Sequence, residues 1–374
     1  MKAFDVAKPA LEGQYYVPQT RGLAEQLIAR LELQPDSILA VLGGVGSGKT
    51  TELIATANRL RESEGWRTFY VDVSVHHDLS DLEPGTLLAA VGLTLSRLLP
   101  SSGLSKELAR EIAFVKKVAS GYEAADYQDP GSDGTYWVSG VLKRPERPFR
   151  GDVGRLVSAL EAILAALPDA KSTNIFLIDS LDRMTDHSHF AVAMDQDVRA
   201  LRRLGGVVIA APMGLLFGQS RQLLDTFTEY YSQPAIDPSR TDGLKFLGAI
   251  LRKRARPDLL PEDTLDKLAR FSGGALRDLI SLARGAAERA YFDGSTQVDG
   301  RHADASADLL GRKSLFGLTE DALQRLDDLA KRGTPVSLSE SDIELLVTRR
   351  ILHYQNGEAR YVVHPVIRRL LSAQ

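Results

Sequence analysis

Eight consecutive residues, Gly43-Gly44-Val45-Gly46-Ser47-Gly48-Lys49-Thr50, follow the pattern G-x-x-x-x-G-K-[ST]. This pattern is typical of a loop whose backbone N–H groups surround the phosphates of a nucleotide. In such a loop Lys49 reaches the β- and γ-phosphates. Thr50 binds Mg²⁺ at the start of a helix whose dipole favours anions. Together with the following Thr51, the segment is the predicted binding site for ATP and Mg²⁺.

A magnesium ion at such a loop also needs a carboxylate from a neighbouring strand. Asp179 ends the apolar run that begins at Thr173, which predicts a buried strand delivering this carboxylate opposite Thr50. The next residue is Ser180, where many ATPases of this architecture have a glutamate that polarises the attacking water. Asp182 is the nearest substitute for that glutamate, and its alternative role is to cap the following helix.

The composition is that of an ordinary soluble protein. With 374 residues, 44% hydrophobic and 25% charged, the chain can form two or three domains with a large core. A net charge of -3 provides no global attraction to nucleic acid or membranes. The absence of cysteine excludes disulfides and thiolate chemistry. The sequence shows no signal-peptide core and no apolar run of the ~18 residues that would span a bilayer, so we expect a cytoplasmic protein with no membrane partner.

The elements that must position these residues belong to an α/β fold. Over residues 1–240, apolar strands alternate with longer helical patterns, which predicts a P-loop ATPase core with a parallel sheet covered by helices. The predicted strands are Ser37–Leu42, Arg67–Val73, Thr173–Ile178, Gly206–Ala211 and a fifth around Glu229–Ile236. Residues 121–150 break the pattern and are predicted to form an insertion or long loop.

Two smaller units are predicted to follow this core. Residues 241–300 indicate a helical lid, with helices around Asp242–Arg256, Pro261–Phe271 and Ala275–Phe292. A polar stretch, Asp293–Lys313, leads into the last unit, residues 301–374. There Ser339 and Asp342 predict a capping box for a helix to Arg350, and a turn around Gly357 predicts a β-hairpin. Helices followed by a hairpin suggest a winged helix.

The order of these features resembles the AAA+ ATPases, most closely the initiator and origin-recognition clade and the related STAND and KAP-type ATPases. The features are the phosphate loop, the segment Asp179–Arg183, a lid helix that opens with Gly273-Gly274-Ala275-Leu276-Arg277, and the terminal helices and hairpin. The segment Tyr16–Leu23 is similar to the one that lines the base pocket there. The resemblance implies that Arg277 is the second sensor, a lid arginine that reports on the γ-phosphate.

Two departures from that pattern predict slow hydrolysis. The strand that would carry the first sensor ends in Ala210-Ala211-Pro212 and offers no polar side chain, and Ser180 replaces the expected glutamate. The family completes such a site with an arginine from a neighbouring subunit, so a homo-oligomer is expected. Arg221 is the candidate for this arginine. Its competitors are Arg183, Arg202 and Arg203.

The leading hypothesis is an ATP-dependent molecular switch with slow Mg²⁺-dependent hydrolysis, whose nucleotide state controls oligomerisation or binding of a partner protein. The alternative is an ATP-dependent DNA-binding initiator or loader, and a small-molecule kinase is a third possibility. A basic cluster favours DNA; it comprises Arg252, Lys253, Arg254 and Arg256. Acidic residues on the helix that would enter the DNA groove oppose it, since Glu340, Asp342 and Glu344 would repel phosphates and arginines occur only at its end, Arg349 and Arg350.

Overall fold

The computed structural model describes residue 4 and residues 15–19, 22–76, 79, 82–100, 102–120, 153–184, 190–191, 193–332 and 338–372. The predicted insertion at residues 121–150 lies outside the described residues. No helix within these ranges is both long and apolar enough to cross a membrane.

Five parallel strands form the central sheet. They are β1 (Ile38–Leu42), β2 (Trp66–Asp72), β3 (Thr173–Asp179), β4 (Gly206–Ala211) and β5 (Glu229–Ser232). Their order is β2-β3-β4-β1-β5, and every neighbouring pair is parallel. The predicted parallel α/β sheet is therefore confirmed. The fifth strand is shorter than predicted and ends at Ser232. The N–H of Gln233 still donates to the carbonyl of Leu42 at 2.6 Å, and the next residue is Pro234, which has no N–H to donate.

Helices cover both faces of this sheet. Their bounds are α1 (Leu23–Leu33), α2 (Lys49–Glu62), α3 (Thr86–Ser96), α4 (Lys106–Ser120) and α5 (Val153–Ala166). Successive side chains of a strand point to opposite faces. Leu39 and Val41 of β1 therefore pack with α1 and α2, whereas Ala40 and Leu42 pack with α3, α4 and α5. All five residues of β1 are buried, which fixes the strand that leads into the phosphate loop.

Short helical segments connect the larger elements. They are Val73–Val75, Leu181–Arg183, Met194–Val198, Arg199–Leu201, Met213–Leu216 and Gly218–Thr226. One of them carries the buried Asp197, whose carboxylate accepts hydrogen bonds from the backbone N–H groups of Gly85 at 2.7 Å and Leu87 at 2.8 Å. Burial raises the pKa of Asp197 to about 6, against these backbone hydrogen bonds. Asp197 therefore ties this segment to the start of α3.

Four helices follow the sheet: α6 (Thr241–Arg252), α7 (Glu262–Phe271), α8 (Leu276–Phe292) and α9 (Gly300–Leu315). The first three are the predicted lid helices. The fourth corrects the interpretation of residues 293–313 as only a polar stretch. A capping box between Asp299 and His302 begins α9. Apart from His302, the buried residues of α9 are small: Ala303, Ser306, Ala307 and Gly311. Such small residues give little hydrophobic periodicity in the sequence.

The C-terminal module, residues 320–371, contains the predicted helices and hairpin. Its elements are α10 (Glu320–Arg332), α11 (Glu340–Val347), the antiparallel strands β6 (Ile351–Asn356) and β7 (Glu358–Val363), and α12 (Pro365–Leu371). The capping box is confirmed, since Ser339 Oγ accepts from the N–H of Asp342 at 3.3 Å and Asp342 accepts from the N–H of Ser339 at 2.9 Å. The helix ends at Val347, three residues earlier than predicted.

One hydrophobic cluster connects the lid helices to the C-terminal module. It includes Leu251 and Leu279 of the lid helices, Ile351 and Val366 of the module, and Met213, which follows β4. Since β4 and β1 are paired, this cluster lies next to the end of the sheet where the phosphate loop begins. The lid helices and the module are thereby held beside that loop.

Candidate nucleotide site

The phosphate loop has the backbone shape that its glycines permit. Gly46 has φ +84° and Gly48 φ +104°, both in the left-handed region that glycine adopts without steric cost. The loop connects the end of β1 to α2, which begins at Lys49. Thr50 and Thr51 follow in the first turn of α2, where free backbone N–H groups and the helix dipole favour an anion. The structure thus combines a compact glycine turn with a helix N-terminus.

The side chain of Lys49 is turned onto the loop and onto Asp182. Its ammonium donates to the carbonyls of Gly43 at 2.8 Å and Gly44 at 3.0 Å, and it lies 2.8 Å from Asp182 Oδ2. Both charged side chains are largely buried, with 3% and 11% exposed. From the sequence, Asp182 was predicted either to polarise water or to cap a helix. In the structure its carboxylate contacts the lysine of the phosphate loop.

Asp179 lies at the end of β3, on the far side of β4 from the loop strand. Two strand spacings, roughly 10 Å, therefore separate β3 from β1 at this edge of the sheet. The Asp179 carboxylate accepts from the hydroxyl of Tyr70 at 2.7 Å and from the N–H of Ser180 at 2.7 Å. Burial and the Asp179 charge raise the pKa of Tyr70, which keeps its hydroxyl a donor. Sequence reasoning missed Tyr70, since only the pairing of β2 with β3 brings it to Asp179.

The hydroxyl of Ser180 is engaged by residues of the neighbouring strand and its connection. The φ of Ser180 is +76°, an uncommon conformation for a residue other than glycine. Its hydroxyl donates to Asp72 Oδ1 at 2.7 Å, the same oxygen that accepts from Ser74 Oγ at 2.6 Å. On the neighbouring strand, β4 ends with the fully buried Ala211. Neither position therefore supplies a polar group free to orient water.

Arg277 of the lid contacts the loop through its backbone and its Cβ. Its backbone N–H donates to the carbonyl of Gly46 at 3.2 Å, and a Cβ added at Gly46 would lie 2.5 Å from the Cβ of Arg277. Burial lowers the pKa of Arg277, and the nearby charges of Arg349 and Arg183 act in the same direction. The lid is therefore in contact with the phosphate loop, and it brings a desolvated guanidinium to a region of excess positive charge.

Two buried polar atoms at the loop make no hydrogen bond within the described part of the chain. They are Ser47 Oγ and Arg277 Nε. An anionic phosphate would provide the missing acceptor for both atoms, so the residues present fit a nucleotide. Among the described residues no group of three or more histidines, aspartates or glutamates could hold a metal ion. Mg²⁺ commonly uses one or two protein ligands together with phosphate oxygens and water, and Thr50 and Asp179 are the residues that would hold it.

Of the segment Tyr16–Leu23, which was expected to line the base pocket, residues 16–19, 22 and 23 are described. Tyr16 lies beside the buried Glu52 of α2, and burial together with the Glu52 charge raises the pKa of Tyr16 to about 12. Glu52 Oε2 accepts from the N–H of Ala24 at 3.0 Å, which caps the start of α1. Burial also raises the pKa of Glu52. The segment is thus anchored to the helix that follows the phosphate loop.

The four arginines that are candidates for reaching the nucleotide site of a neighbouring subunit lie in different parts of the fold. Arg183 lies near enough to Arg277 for its charge to help lower the pKa of Arg277. Arg202 donates to the carbonyl of Asp36 at 3.1 Å, at the opposite end of β1 from the loop. Arg203 and Arg221 are exposed, and Arg221 lies on the segment between β4 and β5.

The basic cluster at the end of α6 is engaged within the chain. Arg252 donates to Glu262 at 2.9 Å, and Arg256 lies 2.9 Å from Asp258. Arg254 donates to the carbonyl of Tyr15 at 3.2 Å and stacks on the Tyr15 ring. Only Lys253 of this cluster is exposed without such a contact in the part of the chain described. The cluster therefore offers little free positive charge.

Three solved structures are similar to this chain over nearly its whole length. Cdc6p from Pyrobaculum aerophilum is 14% identical, with a TM-score of 0.46 over 100% of this chain and 98% of its own. The Aeropyrum pernix ORC1 protein, solved in complex with DNA, is 15% identical, with a TM-score of 0.50 over 98% and 96% of the two chains. The Thermotoga maritima RuvB Holliday junction branch migration motor is 13% identical, with a TM-score of 0.42 over 94% and 95%.

No protein-family profile and no curated protein sequence matches the chain. At identities of 13–15% the likeness to solved structures concerns the fold alone. In this chain the glycine turn joins β1 to α2, and the backbone of a lid arginine contacts that turn. The fold of this chain is similar to that of the Aeropyrum pernix ORC1 protein.

Proposed function

We propose that the protein is an ATP-binding molecular switch with slow Mg²⁺-dependent hydrolysis, and that its nucleotide state controls self-association or binding of a partner protein. The observation that carries this proposal is the contact between Arg277 and Gly46, 3.2 Å from backbone nitrogen to carbonyl oxygen. It joins a lid helix directly to the loop that would hold the phosphates. A change in phosphate occupancy at that loop would therefore act on the position of the lid.

The expectation of slow hydrolysis rests on the groups around the reacting water. Lys49, Thr50 and Asp179 supply the binding set, but the hydroxyl of Ser180 is used by Asp72 and β4 ends in alanine. Asp182 is the acid in contact with the loop lysine, and we propose it as the residue that polarises water once Lys49 turns to the phosphates. Poor positioning of water is expected to limit the rate, because positioning and electrostatic stabilisation provide most of the catalysis in phosphoryl transfer.

The second part of the proposal is that an arginine from a second copy of the chain completes the nucleotide site. Arg221 is exposed and lies on the segment between β4 and β5, so a second copy of the chain could receive its guanidinium at the γ-phosphate. We propose that the chain forms three domains, residues 1–240, 241–300 and 301–374. The last of them is proposed to be a winged helix. Within this division α9 begins the third domain.

The test combines binding with assembly. ATP binding is measured by titration calorimetry with the wild-type protein and with Lys49→Ala, using the exposed Lys253→Ala as the matched control. Mass by light scattering is then compared without nucleotide, with ADP and with a non-hydrolysable ATP analogue. We expect Lys49→Ala to lose binding and the ATP analogue to change the mass of the wild-type protein. Unchanged binding in Lys49→Ala, or fast ATP turnover by a monomer, would reject the switch.

The DNA-binding alternative has less support on the described surface. Arg252, Arg254 and Arg256 are engaged within the chain, and both arginines after α11 point inward, Arg349 to Val45 and Arg350 to Ser314. Titration of labelled duplex DNA at two salt concentrations, with and without ATP, distinguishes the two functions. A steep, nucleotide-dependent salt effect would favour the initiator or loader alternative.

A further inference from the structure

Arg349 of the C-terminal module reaches the phosphate loop. It stands between α11 and β6 with φ +62°, in the left-handed region that few residues other than glycine adopt. Its Nη1 donates to the carbonyl of Val45 at 3.1 Å, across 304 positions of sequence. Two backbone hydrogen bonds that end α11 account for this conformation: the N–H of Arg349 donates to the carbonyl of Leu346 at 3.1 Å and the N–H of Arg350 to that of Leu345 at 2.8 Å. The left-handed residue at the end of the helix directs the Arg349 side chain, which reaches the loop.

The same guanidinium also binds a lid carboxylate. Arg349 Nε lies 2.8 Å from Asp278 Oδ2, and Nη2 donates to Asp278 Oδ1 at 3.2 Å. Burial acts to raise the pKa of Asp278, but hydrogen bonding and charge from His364 and Arg349 hold it below its usual range. One arginine thus connects the C-terminal module, the lid and the phosphate loop through a two-point ion pair and one backbone contact.

Asp278 lies close to the phosphate loop, so its ion pair with Arg349 affects the binding of an anion there. Asp278 directly follows Arg277, the lid residue whose N–H donates to Gly46, and its residue exposure is 4%. An unpaired, buried carboxylate this close to the loop would repel a polyphosphate, because charge interactions are strong in a poorly solvated site. Arg349 neutralises that carboxylate.

Apolar contacts support the same arrangement. A cavity of about 30 Å³ lies between the loop and the module. Gly44 and Val45 line it from the loop, and Leu346, Ile351 and His353 line it from the C-terminal module. The module therefore packs directly on the side of the phosphate loop that carries the Val45 carbonyl. Arg350, by contrast, turns away and donates to the carbonyl of Ser314 at 3.0 Å.

We propose that Arg349 is a positioning residue of the nucleotide site: it neutralises Asp278, holds the Val45 carbonyl and makes occupancy of the loop and docking of the C-terminal module stabilise each other. This inference rests on the proposed nucleotide-binding function and names the residue through which the C-terminal module takes part in it. Linkage requires that any strengthening of docking by nucleotide equals the strengthening of nucleotide binding by docking.

Arg349→Gly tests the proposal, since glycine suits a φ of +62° and the substitution removes only the side chain. Arg350→Ala is the matched control, and Arg349→Gly with Asp278→Asn tests the neutralisation step. Two quantities are measured: affinity for ATP by calorimetry, and amide hydrogen exchange of β6 and β7 with and without ATP. Exchange without nucleotide tests docking independently of any ligand.

We expect Arg349→Gly to bind ATP at least tenfold more weakly and to exchange faster at β6 and β7 even without nucleotide. We expect Asp278→Asn to recover part of the lost affinity in the double variant, and Arg350→Ala to retain wild-type affinity. Affinity within twofold of wild type in Arg349→Gly would overturn the positioning role. If the wild-type protein failed to bind ATP, the proposed function would fall, whereas unchanged exchange without nucleotide in Arg349→Gly would overturn the docking contact alone.

Discussion

The carboxylate of Asp182 lies 2.8 Å from the ammonium of Lys49, and both side chains are largely buried. The lysine of the phosphate loop is thus already neutralised by an acid of its own chain. On the proposed function, a phosphate that binds Lys49 would displace Asp182. This would link the proposed action of Asp182 on water to occupancy of the loop.

Replacing Asp182 with asparagine should separate binding from hydrolysis. The variant removes a negative charge close to the phosphate loop and frees Lys49, so we expect ATP to bind about tenfold more tightly, a gain of about 1.4 kcal/mol. Hydrolysis should fall, because the amide cannot accept a proton from water. Calorimetry and phosphate release measure the two effects, and Asp182→Glu, which keeps the charge, is the control. Weaker ATP binding in Asp182→Asn would contradict this account.

Tyr70→Phe should lower the affinity of the nucleotide site for Mg²⁺. The hydroxyl of Tyr70 orients the Asp179 carboxylate from 2.7 Å, and loss of a partner that orients a metal-associated carboxylate costs about tenfold in metal affinity. We therefore expect the Mg²⁺ concentration for half-maximal binding to rise about tenfold, with little change in ATP binding without Mg²⁺. Tyr231→Phe, in the same layer of the core but on β5, is the matched control. An equal shift in both variants would indicate a general effect on stability.

The features of this site that lie within short segments were predicted from the sequence. The glycine pattern, the lysine and the acid at the end of an apolar strand are features of short segments, and the structure has each at the predicted place. The contacts of Tyr70 and Arg349 are not local, since they join positions 109 and 304 residues apart. They follow from strand pairing and from how the C-terminal module packs. Helix α9 was missed for another reason: its buried face of alanine and serine carries too weak an apolar signal.

Gly46→Ala should loosen the lid even without a ligand. A Cβ at Gly46 would meet the Cβ of Arg277 at 2.5 Å, and the left-handed backbone costs about 1–2 kcal/mol for any other residue. Gly44→Ala is the matched control in the same loop, because its Cβ would find no atom within 4 Å. We expect a lower melting temperature and faster hydrogen exchange at the start of α8 in Gly46→Ala only. Equal effects in both variants would argue against the contact between loop and lid.

The buried Asp197 should make stability fall as the pH rises from about 4 to about 6. Burial raises its pKa from 3.8 to about 6, so in that window the folded state binds a proton that the unfolded state has released. The rise corresponds to about 3 kcal/mol. Urea unfolding across this window should show the advantage of wild type over Asp197→Asn shrinking by up to that amount, then levelling off above pH 6. Asp195→Asn, an exposed neighbour paired with Arg199, should leave the pH dependence unchanged, and a similar slope in both variants would assign the effect to another group.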